Sequence, residues 1–172
     1  MRTHVTSILP SRRHIAAPAL AGALAILGCT QARAVDCTIA ANGVAFGVYD
    51  PTLTAPTDST GNVTVRCTHS GGGASRINYT VSLSAGGSGD VARRQMRAGT
   101  ATLDYNLYRD AARSLIWGTG TGGSGLVSGA VTVNRGHFQV SEVAYPIYGR
   151  IPAQQAIATG LYTDAIVVTL TF

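Results

Sequence analysis

The sequence predicts an all-β protein, an antiparallel β-sandwich, on three observations. Past the N-terminal segment the chain has no lysine and a single glutamate, Glu142, while Thr, Val, Ser, Gly and Tyr are abundant, a composition poor for helices and good for strands. Residues 62–67 (NVTVRC), 77–83 (INYTVSL), 103–108 (LDYNLY) and 143–148 (VAYPIY) alternate in polarity with the period of two of half-buried strands. Between them lie Asp50-Pro51 and the glycine-rich stretches 70–73, 85–90 and 118–125, the turn chemistry that punctuates a sandwich.

The N-terminus is read apart from this domain. Arg2, Arg12 and Arg13 precede an apolar run over residues 15–28, and Ala32-Arg33-Ala34 supplies a small-x-small cleavage pattern. Residues 1–34 therefore read as a secretory signal peptide and residues 35–172 as one domain, with Val35 the first mature residue. The apolar run is too short to cross a bilayer. Ser11-Arg12-Arg13 matches half of a twin-arginine pattern whose remainder is missing, so these are read as ordinary leader arginines. Ile26-Leu27-Gly28-Cys29 loosely resembles a lipoprotein box, and a lipid anchor on Cys29 is the minor alternative to free export.

Removing the leader takes away four of the 13 basic residues and none of the eight acidic ones, so four of the five formal positive charges belong to the leader and the domain is close to neutral. Neither nucleic acid nor an anionic membrane is implied. Of the three cysteines, Cys37 and Cys67 remain, and in an exported chain they are expected to pair. Closing a loop of about 30 residues contributes roughly 3–4 kcal/mol on the chain-entropy estimate.

Taken in order, a first strand begins near Cys37 and a second ends near Cys67, so the disulfide would tie neighbouring strands at one end of the sandwich. Runs 77–83 and 103–108 each read as a strand. Pro146 marks an edge or bulge in the run 143–148, because it cannot donate to a central ladder. The terminal residues 160–172 read as one 13-residue amphipathic strand, with Ile166, Val168, Leu170 and Phe172 on one face and Val167, Thr169 and Thr171 on the other. Left at a sheet edge, such a strand is a template for another.

No constellation for chemistry emerges. Residues 118–123 satisfy GxGxxG as a string, but more glycine follows where a helix would have to start. His69 and His137 lack a second histidine or a carboxylate at metal-ligand spacing and are read as surface or turn residues. Ser88 and Ser124 are flanked by glycine without a strand-to-helix elbow. Asp104 and Asp110 are read as solvated or turn-capping groups, and Tyr79, Tyr105, Tyr108, Tyr148 and Trp117 as packing residues. No catalytic residue, cofactor or metal is expected, which leaves a non-enzymatic binding or assembling module.

Several segments together resemble the spore coat protein U family, which includes secreted pilins of archaic chaperone-usher systems. They are Cys37 with Cys67, the stretch 103–110 followed by Trp117-Gly118, then Tyr148-Gly149-Arg150-Ile151-Pro152, and the terminal Gly160-Leu161-Tyr162-Thr163-Asp164. The resemblance implies an immunoglobulin-like sandwich lacking its last strand. The acceptor groove would then lie beside the C-terminal strand and be walled by Tyr162, Ile166, Val168, Leu170 and Phe172. The implied partners are a periplasmic chaperone, an outer-membrane usher and neighbouring pilin subunits, with surface fibres, adhesion or biofilm as the role. The alternative is a self-sufficient secreted coat or matrix protein. One departure stands out: cleavage after Ala34 leaves only Val35 and Asp36 before Cys37, too short a donor segment, whereas cleavage after Ala25 would leave residues 26–36. N-terminal sequencing with intact mass of the exported protein is expected to give Val35 as first residue and a mass two protons below the reduced chain; a start at Ile26 would place cleavage after Ala25.

Overall fold

Two long ladders organise the chain, and both use β2 (Thr57–Ser70), whose inward series Val63, Val65, Cys67 and His69 is fully buried. In the computed structural model, which describes residues 34–70, 75–133 and 139–172, β1 (Ala34–Asn42) pairs antiparallel with one side of β2 and β7 (Gln139–Ile151) with the other. Beyond β7 come β5 (Ala101–Tyr108) and β4 (Arg94–Ala98), completing a five-stranded sheet of order β1-β2-β7-β5-β4. A three-stranded sheet of order β6-β3-β8 faces it, built from β6 (Val127–Val133), β3 (Ser75–Leu83) and β8 (Val168–Thr171). Every ladder is antiparallel, and the described residues contain no α-helix, only a 3-10 turn at Gly86–Ser88.

This order is immunoglobulin-like. β1, β2, β7 and β5 take the A, B, E and D places of one sheet, and β3 and β8 the C and F places of the other. The phenol of Tyr162, ahead of β8, donates to the carbonyl of Ala158 at 2.9 Å, the backward bond of a tyrosine corner at the entry to an F strand. Among the described residues no strand occupies the G place beside β8.

Cys37 and Cys67 stand directly opposite each other in the β1–β2 register and form a disulfide. The core is built around Trp117, fully buried, whose indole N–H donates to the Val81 carbonyl at 3.0 Å. Tyr79 and Tyr105 are buried with it, and their aromatic area supplies much of what holds the sheets together. Pro146 lies in β7 opposite Asn62, but β5 pairs with β7 only at residues 148–150, so β7 has a ladder on one side alone at the proline.

Three sequence expectations change. The 13-residue terminal strand is regular only over Val168–Thr171, because the segment crosses between sheets: Thr163 pairs with Arg97 of β4, whereas β8 pairs with β3. Alternating burial nevertheless persists from Tyr162 to Leu170. His69 is buried rather than on a surface turn, since it continues the inward series of β2, and its ring nitrogens have no partner among the described residues. β4 and β6 were not visible in the sequence. Residues 118–125 form a loop closed by Gly118 N–H to Gly125 O at 2.9 Å and Ser124 N–H to Thr121 O at 3.0 Å. His137 lies outside the described residues. Replacing Trp117 by Ala should destabilise the fold by about 3–5 kcal/mol in urea titrations, the usual cost of emptying so large a site.

Candidate functional site

The place where the G strand is missing is a groove with an apolar floor and two walls. Its floor is formed by Leu83, Met96, Leu103, Tyr105, Leu107, Ile147 and Ile151, all buried core residues, contributed by β3, β4, β5 and β7. One wall is residues 43–49, which follow β1. The other is residues 157–168, which lead into β8. Two adjoining cavities of about 290 and 590 Å³ share Val44, Phe46, Met96 and Tyr162 in their linings and together run along the groove. Val48 and Leu161, 94 % and 84 % exposed, stand at its mouth.

The first wall is held mainly by side chains. Val44 and Phe46 turn toward the floor, and Phe46 meets Tyr105 edge-on with ring centroids 6.0 Å apart. Gly149 makes this approach possible, since a Cβ there would come within 2.7 Å of both Val44 and Phe46. Tyr49 donates its phenol proton to Pro152 O at 2.9 Å and accepts from Gln155 N–H at 2.8 Å, and Ser59 donates to Ala45 O at 2.6 Å. No backbone-to-backbone hydrogen bond joins residues 43–49 to another described residue.

The second wall is bonded only on its back. Thr163 exchanges both backbone bonds with Arg97, at 2.9 and 3.1 Å, and Val167 accepts from Ser84 N–H at 2.9 Å while donating to Ser84 Oγ at 2.9 Å. The backbone groups of Tyr162, Asp164 and Ile166, which alternate with these, have no partner among the described residues. By the pairing rule of a strand they point to the opposite edge, toward residues 43–49. The groove thus offers unpaired donors and acceptors beside apolar pockets, the combination that an added strand satisfies.

Beneath this wall lies a buried polar network. Arg94, fully buried, donates to Asn106 Oδ1 at 2.7 Å, Ser84 O at 2.8 and 3.0 Å, Trp117 O at 2.8 Å and Leu83 O at 3.3 Å. Burial lowers its pKa from the ordinary arginine value, with Tyr105 and Asp164 acting the other way. Burial, then the hydrogen bond it donates to Asp164, pushes the Tyr105 phenol well above its ordinary range.

Of the residues read as groove wall, Tyr162, Ile166 and Val168 line the cavity and Leu170 is half-buried against the core. Phe172 lies past the last register pair, Thr80 with Thr171, and is 56 % exposed. Sequence reasoning missed Val44 and Phe46, although their own alternation in Val44-Ala45-Phe46-Gly47-Val48 was a usable signal. It also missed Arg94, for which the sequence offers none, because a buried arginine looks like a surface charge. Asp104 accepts from Gln95 at 2.7 Å across the β4–β5 pair, and Asp110 binds Ser114 and Leu115 in its own turn. Among the described residues no three His, Cys, Asp or Glu side chains gather as metal ligands, and no helix is long and apolar enough to cross a membrane.

Comparison with known proteins gives the arrangement its family. The sequence profile of the Spore Coat Protein U domain matches residues 23–169. The chain belongs to the spore coat protein U family. Within it, Protein U of Myxococcus xanthus is 32 % identical over 134 residues, 74 % of this chain and 70 % of that protein. Among solved structures, a chain of the CsuC–CsuE chaperone-tip adhesion subunit pre-assembly complex, from archaic chaperone-usher Csu pili of Acinetobacter baumannii, superposes with a TM-score of 0.50. That match is 23 % identical, covers 81 % of this chain and 40 % of the other, and is a likeness of fold. The spore coat U segments that lie apart in sequence meet at the groove: Asn106 and Trp117 accept from Arg94, and Tyr105, next to Asn106 on β5, donates to Asp164.

Two outcomes follow. Arg94→Met should cost at least about 3 kcal/mol in chemical denaturation, because it leaves the carbonyls of Leu83, Ser84 and Trp117 buried without donors. Stability should fall as pH rises past the ordinary tyrosine value of 10.0. Above it the unfolded chain loses the Tyr105 proton that the folded chain keeps, so the loss is about 1.4 kcal/mol per pH unit from this group, and Tyr105→Phe should flatten the slope.

Proposed function

We propose that this spore coat U protein is a non-enzymatic, pilin-like structural subunit that is completed by a strand from another chain. The observation that carries the reading is the unpaired edge of Tyr162, Asp164 and Ile166 beside an apolar floor, at the one place where an immunoglobulin-like sandwich would have its G strand. A strand laid there would pair its backbone with this edge and place alternate side chains over Met96, Tyr105 and Leu107. In this reading the protein is exported, a periplasmic chaperone fills the groove first, an outer-membrane usher receives the subunit, and a neighbouring subunit's N-terminal segment replaces the chaperone. Surface fibres serving adhesion or biofilm are the product.

Whether the chain also gives a strand depends on its cleavage site. The family match begins at residue 23, ahead of the cleavage read after Ala34. A mature chain starting at Ile26 would carry eight residues, 26–33, ahead of β1 to offer as a donor, since 34–36 are already paired with β2, and one starting at Val35 would receive a strand without passing one on.

Co-expression with a cognate chaperone should yield a stable one-to-one complex, and Ile166→Asp, placing a charge in the groove, should abolish it. A wild-type chain that is fully stable and monomeric alone, forms no such complex and takes up no donor peptide would instead establish the self-sufficient coat protein.

A further inference from the structure

The wall that faces the groove has no ladder behind it where it crosses from one sheet to the other. Thr163 is bonded to β4 of the five-stranded sheet and Val167 to the end of β3 in the three-stranded sheet. Between them the backbone of residues 164–166 gains a single bond, from Ala165 N–H to the Asp164 side chain at 2.8 Å. The same carboxylate accepts from Tyr105 Oη at 2.7 Å and from Gly87 N–H at 2.9 Å. One side chain thus takes three donors, from β5, from the turn after β3 and from the wall itself.

The turn is shaped for this contact. Gly86 has φ of 68°, and a Cβ on it would collide with the Asp164 carboxylate. Only glycine there brings the next N–H onto the oxygen. Both amides fall on Oδ1 and the phenol on Oδ2, so the two carboxylate oxygens divide the three donors between them, and an alanine there would accept none of them.

We propose that Asp164 is a positioning residue that holds the groove open when no strand occupies it. Its three bonds replace the missing ladder and keep residues 162–166 standing off the apolar floor. Without them the wall is free to settle onto Met96 and Leu107 and close the smaller cavity. The consequence for strand uptake rests on the acceptor-groove reading, whereas the positioning itself is a property of the unoccupied chain.

Amide hydrogen exchange on the full chain, alone in solution, tests it. In the wild type the amides of Gly87, Thr163, Ala165 and Val167 should be protected, and Tyr162, Asp164 and Ile166 should exchange freely. Asp164→Ala, which removes all three acceptor contacts, and separately Tyr105→Phe, which removes one hydroxyl, should speed exchange at the first four at least tenfold. A control of comparable global destabilisation on β2, Val65→Ala, should not do so. Unchanged protection in both variants overturns the proposal. So does exchange that rises equally along β2 and β7, since Asp164 would then be a general stabiliser. If Asp164→Ala does not fold, the Tyr105→Phe comparison decides. None of these readouts needs a partner, so failure of strand uptake in co-expression leaves them intact, and the reverse.

Discussion

The guanidinium of Arg94 is the constraint around which the open side of this sandwich is arranged. A buried cation must satisfy its donors, and here it does so on the backbone carbonyls of Leu83, Ser84 and Trp117 and on Asn106, drawing the end of β3, the segment that carries Trp117, and β5 to one point. Ser84, fixed by that contact, in turn holds Val167 by both its amide and its hydroxyl. Floor and wall of the groove are therefore parts of one network.

The groove has unequal walls. Residues 43–49 are placed by the packing of Val44 and Phe46 and by a few side-chain bonds, while residues 162–168 are fixed by paired backbone and by Asp164. Aromatic packing of Phe46 on Tyr105 is adaptable in rotamer and tilt, and backbone bonds are not. The two sides differ accordingly in how they can accommodate a strand between them.

Much of the fold was legible because its strands obey simple alternation. β2, β3, β5 and β7 carry Val, Tyr, Leu and Ile on inward positions with polar residues between, and each was placed from that pattern. β4 was hidden because its first inward residue is Arg94, which inverts the polarity signal, and β6 because Ser128, Gly129 and Ala130 are too small to show a period. Gly129 is small for a reason visible only in three dimensions: a side chain there would strike the Tyr79 and Tyr145 hydroxyls, which meet at 2.8 Å. For the groove, the inward set Tyr162, Ile166 and Val168 could be read, and the alternation of Val44 and Phe46 offered the opposite wall, but the sheet crossing at Thr163 could not be read, since it depends on long-range pairing that a local pattern does not encode.

The position of the disulfide has a mechanical side. Cys37 sits near the start of β1 and is bonded across the ladder to Cys67 of β2, which pairs in turn with β7 over residues 57–69. A pull on the residues ahead of β1 therefore can peel only the pairs of residues 34–36 before it reaches Cys37. There it crosses a covalent bond into β2 and loads the longest ladder among the described residues along its length, where many hydrogen bonds must give way together.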